Sequence, residues 1–371
     1  MKANVIFATV VAAGTALVAN AAPQYNIVDL GVVGTDAFSQ GMRISAGGVA
    51  TGRSIAGSGS ARAFTWTQGG GLVALPNLAS RNYSVGNGVN DSGTVVGVGS
   101  TNLSGTSALP VMWKNGVASQ LAMPASYTIG RANAVNNSDV AVGSVGSGTD
   151  QRAAVFSGGT SSVISTTTAS GCYMTTAFGI NDSGMVVGIG IDPNDASRNV
   201  GMVYNMAANT AFEVGGLPGK NGAICFDLSS SGYVCGTSMQ GQGPGLPFIW
   251  SQAGGMQAVA LPVGTSQASL RGVNAAGWAV GTASSAFAIP FLFDGSATYR
   301  LQDLLAPGSG WDLSTNTSSS AMGISDNGTI VGTGIINGQT HAYAMIQVPA
   351  PAGIAAFGFG AMFAVRRRRS N

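Results

Sequence analysis

Chemistry in this chain would have to come from a small set of side chains. Its 371 residues hold one His (His341), one Glu (Glu213), three Lys and three Cys, and nearly all of its 14 acidic residues are Asp. Catalysis needs a base, a nucleophile or a metal set converging in one cleft. One His and three scattered Cys do not make a zinc-ligand pattern. Glu213 has no carboxylate near it in sequence to complete a glycosidase pair, so only Asp residues brought together by folding could do so. Gly219-Lys220 is followed by Asn221 and lacks the upstream Gly of a phosphate-binding loop. These residues assign no catalytic group, metal ligand or cofactor, and they name no ligand-binding residue.

Three aspartates recur at one place, Asp91, Asp182 and Asp326, and invite a calcium reading. Each belongs to a short Asn/Ser-rich turn, where Asp is favoured for local hydrogen bonding. A turn supplies one carboxylate, whereas calcium takes six to eight oxygens. The densest local set of oxygen ligands, Asp192-Pro-Asn-Asp195, lacks the Gly-containing spacing of a calcium loop. Turn chemistry is the expectation for all of them.

Those turns are the units that must position any site. Seven times an Asn or Ser opens a tight turn that leads into a short apolar stretch ending in Gly, as in Asn90-Asp-Ser-Gly93 to Gly97 and Asn181-Asp-Ser-Gly184 to Gly188. The terminal glycines, 52, 97, 143, 188, 236, 281 and 332, lie 45, 46, 45, 48, 45 and 51 residues apart. A period of this size marks a repeat array. Asn or Ser at the first turn position and Gly at the fourth predict a type I turn closed by a left-handed residue, the three-residue hairpin with a bulge. The copy without Gly carries Asp139, which tolerates positive φ. Past each terminal Gly comes a large apolar residue in an extended run (Trp66, Trp113, Phe156, Tyr204, Trp250, Phe293, Met345), expected to pack in an inter-unit core. Most copies then show a Gly-rich turn and a fourth run, such as Gly255-Met-Gln-Ala-Val-Ala-Leu261.

Four short strands per ~45 residues and no helix signal predict an all-β fold, a seven-bladed β-propeller. The seventh copy lacks its fourth strand, and Tyr25-Asn-Ile-Val-Asp-Leu30 reads as that strand supplied from the other end. Such closure would leave no free sheet edge. An open β-solenoid would need terminal caps, which neither end resembles.

The charged fraction is 8%, far below the roughly 25% usual in soluble domains. The formal +2 misleads. Without Lys2 and the four arginines 366–369, the 16 basic residues become 11 against 14 acidic ones, a net −3. A near-neutral body does not bind nucleic acid, which requires a clustered basic face.

Lys2, an apolar run over residues 5–18 and Ala19-Asn20-Ala21 make a signal peptide, residues 1–22, with cleavage at Ala21 and Ala22. Residues 23–348 form the repeat domain. The tail 349–371 contains Pro349, Ala350 and Pro351, an apolar run at 354–365, and Arg366, Arg367, Arg368 and Arg369. Twelve apolar residues give about 18 Å of helix, too short for a permanent transmembrane helix but suited to transient inner-membrane contact, with the arginines on the cytoplasmic side. The odd cysteine count permits at most one bridge. In a regular hairpin Cys235 faces Asp227 and Cys225 lies diagonal to it on the same face, about 7 Å away, so a bridge and buried free thiols both stay open.

The tripartite tail resembles the PEP-CTERM sorting signal, with Pro349-Ala350-Pro351 in place of the usual Pro-Glu-Pro. The resemblance implies processing by an exosortase in a Gram-negative-type envelope. Arg62-Ala-Phe-Thr-Trp66, Asp29-Leu-Gly31, Gly179-Ile-Asn-Asp-Ser-Gly-Met-Val-Val-Gly188 and His341-Ala-Tyr343 resemble the unit of extracellular HAF-repeat proteins, over nearly all of residues 25–348. His341 then sits at a consensus position, which implies a structural role. The expected function is an exported, envelope- or matrix-associated binding or structural module that contacts extracellular polysaccharide or envelope components. The alternative is a polysaccharide hydrolase or lyase with an Asp-based site on one face.

Overall fold

A computed structural model describes residues 22–102 and 104–349. Ala21 and the rest of the signal region, and the tail from Ala350 through Pro351 to the four arginines, lie outside the described residues. Ala22 and Pro349 bracket the folded body, and both are exposed. Among the described residues no helix is long and apolar enough to cross a membrane, and the apolar run 354–365 falls outside them.

The described chain is all-β apart from two short 3-10 turns, Gly148–Asp150 and Leu301–Leu304. Consecutive strands pair antiparallel in fours. One set is Tyr83–Val89, Val95–Ser100, Leu109–Lys114 and Val117–Gln120. The set before it belongs to the same hydrogen-bonded sheet only through one parallel bridge, Ala61 to Tyr83. In the last sheet Ser320–Ile324, Ile330–Ile336 and Gln339–Val348 are followed in space by Gln24–Gly31, which runs antiparallel to Gln339–Val348 from the pair Gln24–Val348 to Gly31–Ala342. A two-residue strand, Trp311–Asp312, extends this sheet and was not expected from the sequence.

The core lies between units. Val187 and Val203 of one unit pack with Cys225, Val234 and Phe248 of the next, and Ala344 near the C-terminus packs with Ile44, Phe64 and Trp66. The expected large residues serve here: Trp113, Phe156 and Met345 are buried, while Tyr204, Trp250 and Phe293 are half-buried against neighbouring clusters. Each fully buried one contributes roughly 1.5–3 kcal/mol, and the half-buried ones less. The innermost strands touch in succession, and Ser320–Ile324 touches Phe38–Ile44, the first of the series.

The turns have the expected backbone. Their fourth residues, Gly48, Gly93, Asp139, Gly184, Gly232, Gly277 and Gly328, all have positive φ, from 57° at Asp139 to 94° at Gly48. The N–H of Gly184 donates to Asn181 O at 3.1 Å, and the other copies repeat this bond. A bulge in every innermost strand, three residues before the turn, was not foreseen. The register skips one residue there in each unit, Met42, Asn87, Asn133, Phe178, Phe226, Arg271 and Met322, and the fourth unit also skips Thr175.

The bulge explains the repeat-ending glycines. A Cβ at Gly52, Gly97, Gly143, Gly188, Gly236, Gly281 or Gly332 would stand 1.9–2.0 Å from a carbonyl oxygen of the adjacent inner strand. The bulge also corrects the cysteine geometry. Cys235 faces Asp227 as expected, but Cys225 pairs with Gly236, so the two sulfurs point to opposite faces. All three cysteines are free and buried.

Candidate functional site

The bulged residues point inward from all the units. Together with Arg43 they line a cavity of about 130 Å³. The next residue of each inner strand is Gly or Ala in five units, namely Gly88, Ala134, Gly179, Gly272 and Gly323, which lets the backbones converge. The other two are Arg43 and Asp227. They meet across the centre, Nη1 to Oδ1 at 3.0 Å, with both side chains largely buried. Arg43 also donates to carbonyls freed by three bulges: Nη1 to Arg271 O at 3.1 Å, Nη2 to Phe178 O at 3.2 Å and Nη2 to Phe226 O at 3.5 Å. Asp227 Oδ2 accepts from Val273 N at 3.1 Å. Burial pushes the Asp227 carboxyl above the ordinary range, against the pull of the Arg43 charge and of the Val273 and Leu228 N–H groups. Arg43 and Asp227 thus form a crossbar through the middle of the molecule.

On the turn side of the crossbar lies a second cavity of about 120 Å³, and Asp91, Asp182, Asp227 and Asp326 are its acidic lining residues. These turn aspartates do more than shape their own turns. Asp91 Oδ1 accepts from Gly47 N at 2.6 Å, Asp182 Oδ1 from Asn137 N at 2.7 Å, and Asp326 Oδ1 from Ala275 N at 2.8 Å. Each carboxylate therefore caps a backbone donor of the preceding unit. The Asn137 amide donates to Asp91 Oδ2 at 3.0 Å and to Asp182 Oδ2 at 2.9 Å, which sets those oxygens no more than about 5.9 Å apart. Burial works against ionised Asp91, but the Gly47 N–H, the Asn137 amide and the Ser45 hydroxyl outweigh it and hold the carboxyl below its usual range.

The first turn residues form a ring beneath. Asn181 Oδ1 accepts from Met185 N at 3.0 Å within its own turn, while its Nδ2 donates to Ser229 O of the next unit at 3.2 Å. Asn90, Asn136 and Asn274 make the same two bonds, reaching Asn136 O, Asn181 O and Ser325 O. Where Ser stands, at 45, 229 and 325, the bond inside the turn is kept and the amide bond to the next unit's carbonyl is lost.

No family model and no curated protein matches the chain. Among solved structures it is similar to oligogalacturonate lyase from Vibrio parahaemolyticus, 11% identical with TM-score 0.54, over 86% of this chain and 93% of that one. It is also similar to a catalytically inactive virginiamycin B lyase from Staphylococcus aureus with quinupristin, 9% identical with TM-score 0.50, over 88% and 100% of the two chains. The β-propeller domain of the trilobed protease from Pyrococcus furiosus matches at TM-score 0.41 and 9% identity, over 86% and 85%. The likeness is one of fold. The chain is all-β and propeller-like.

The remaining sequence candidates are placed apart from the centre. His341 Nδ1 meets Asp29 Oδ2 at 2.9 Å, joining the last strand to Gln24–Gly31. Glu213 does meet an Asp in space, but through a cation: Arg198 bonds both Glu213 Oε2 and Asp192 Oδ2. Asp192 is held below the usual carboxylate range by the Asn194 N–H and then by Arg198. Asp195 takes the Ser197 hydroxyl at 2.6 Å, so the Asp192-Pro-Asn-Asp195 set is a hairpin turn whose two carboxylates bond different partners. Sequence reading missed Arg43, Asp227 and Arg271. The signal was present in the aligned units, as charge at positions where the other copies carry Gly, Ala or uncharged residues.

Proposed function

We propose that the chain is a seven-bladed β-propeller, closed by the strand Gln24–Gly31, that acts after export as a non-catalytic binding or structural module of the cell envelope. The observation carrying this reading is the commitment of the central groups. The channel is crossed by Arg43 and Asp227, and the mouth carboxylates cap backbone donors of neighbouring units. Carboxylates used in this way brace a scaffold, whereas a general acid needs a proton position free to reach substrate. The likeness of the termini to a signal peptide and a PEP-CTERM tail supports delivery by an exosortase, and the HAF-like units support an extracellular setting. Extracellular polysaccharide is the proposed partner class.

The test is affinity electrophoresis of the purified protein through neutral and acidic polysaccharides, with new reducing ends counted in parallel. Retention without new ends supports the module; no retention on any fraction sinks the binding reading. Mass spectrometry of the exported protein tests the sorting proposal, which an intact C-terminus at Asn371 would overturn.

A second reading has one observation in its favour. Asp91 and Asp182 share the Asn137 amide, and their separation is compatible with the ~5–5.5 Å of retaining glycosidases. New reducing ends that vanish in both Asp91→Asn and Asp182→Asn would establish that reading instead.

A further inference from the structure

The two cavities along the central axis have opposite character. The turn-side cavity is lined by four carboxylates and Arg43, whereas the cavity beyond the crossbar is lined by Arg43 and Arg271 and by no carboxylate. Arg43 is engaged through both Nη atoms by Asp227 and three carbonyls. Arg271 is not. Its guanidinium lies 3.8 Å from the centroid of the Phe226 ring, and among the described residues it has no hydrogen-bond acceptor and no carboxylate partner. Its donors open into the cavity instead of being spent on protein acceptors, which leaves a guanidinium fork available to an anion. Burial lowers its pKa, against an opposing pull from Cys235 and with a smaller push from the Arg43 charge.

The rest of the lining suits an anion with a small apolar body. Phe178 and Phe226 stand 5.5 Å apart with their rings tilted at 47°. Asn87 and Asn133 each give one amide N–H to a backbone carbonyl, Ala132 O and Ala177 O, at 3.0 and 2.8 Å. Their Oδ1 atoms are left as acceptors for a ligand hydroxyl. A volume of about 130 Å³ holds several water-sized groups, enough for a compact molecule or the end of a chain.

We propose that this cavity is a carboxylate-binding site in which Arg271 receives the carboxylate, Phe178 and Phe226 flank its carbon body, and the asparagine oxygens take a hydroxyl. A guanidinium fork matches a planar carboxylate with two parallel bonds. The carboxylate could be free or terminal on an acidic oligosaccharide, and the experiment separates these sources. The site does not depend on export or on polysaccharide retention.

Calorimetric titration and thermal melting of the purified protein are run with acetate, with a short oligouronate and with inorganic phosphate at constant ionic strength. Acetate or the oligouronate should bind and raise the melting temperature, and whichever binds tighter identifies the source. Arg271→Met should weaken that binding by at least about tenfold, since hydrogen bonds to charged groups are the strong ones. The same variant should melt no lower than the parent in carboxylate-free buffer, because it removes an uncompensated charge and keeps the packing against Phe226. Arg271→Lys should retain part of the binding. Phosphate binding without carboxylate binding would overturn the assignment. So would Arg271→Met that binds as tightly as the parent, or no binding by the parent at all.

Discussion

At the scale of residues, the molecule depends on polar groups that serve two units at once. Arg43 and Asp227 neutralise each other, and Arg43 also takes up three carbonyls that bulges remove from the sheet ladders. Removing one partner leaves a buried charge and orphaned acceptors, so Arg43→Met or Asp227→Ala alone should cost about 3–5 kcal/mol. In urea titrations the double variant should lose clearly less than the sum of the two, and additive losses would refute the crossbar. The asparagine ring permits a finer test. Asn181→Ser keeps an acceptor for the Met185 N–H but loses the amide donated to Ser229 O. That change should cost about 1 kcal/mol, and Asn181→Ala about 2 kcal/mol or more, because a buried donor is then also left bare. The serines at 45, 229 and 325 are the chain's own precedents for the milder change.

At the scale of elements, the inner hairpin combines a bulge, a left-handed turn residue and a glycine on the facing strand. The glycine is required by the bulge. At Gly188 a Cβ would sit 2.0 Å from Thr176 O, a backbone atom that cannot swing aside. Gly188→Ala should therefore destabilise by about 3 kcal/mol in denaturant titrations, the upper end for overpacking, because the clash is with backbone. At Gly184 the constraint is different, since φ is 76° and the nearest atom to a Cβ, on Met206, is 3.5 Å away. Gly184→Asn should cost much less than Gly188→Ala, and equal losses would show that the bulge does not set the glycine requirement.

At the scale of the whole molecule, continuity between first and last strands is the feature most open to test. Gln24–Gly31 covers the edge of Gln339–Val348, buries Tyr25 in the last core cluster and brings Asp29 to His341. Deleting residues 24–31 should expose that edge and give aggregation in light scattering. A deletion variant that stays monomeric with unchanged melting would count against the closed propeller. Acid should also loosen the assembly. Burial disfavours the ionised forms of Asp91, Asp139 and Glu213, but hydrogen bonds from Gly47 and Asn137, from Lys114 and Asn90, and from Ser170 and Arg198 hold all three below their ordinary values. A depressed folded-state pKa contributes stability above the unfolded value and loses it as pH falls through the folded one. Melting temperature should thus hold above about pH 5 and fall below about pH 4. Glu213→Gln should remove part of that fall, and an unchanged acid profile in this variant would contradict the assignment.

The repeat period, the all-β class, the turn type and the tolerance of Asp139 for positive φ were all legible in the sequence, because each is a local property of a few neighbouring residues. The pairing of Tyr25-Asn-Ile-Val-Asp-Leu30 with the last strand was legible by subtraction, from a unit one strand short. The bulges within the inner strands, three residues before each turn, were not, since such a mismatch between two strands is not set by a turn residue as the hairpin's own bulge is; for the same reason the faces of Cys225 and Cys235 were misjudged. Nor could the sequence assign the turn aspartates and asparagines to neighbouring units, because their bonds run between residues about one repeat apart whose approach depends on how units stack. Arg43, Asp227 and Arg271 lie furthest from sequence reading. Arg43 bonds to a carbonyl 228 residues away, and only the convergence of the inner strands at a common axis, which the small residues beside them permit, brings a lone arginine opposite a lone aspartate and leaves a second arginine with no carboxylate partner among the described residues.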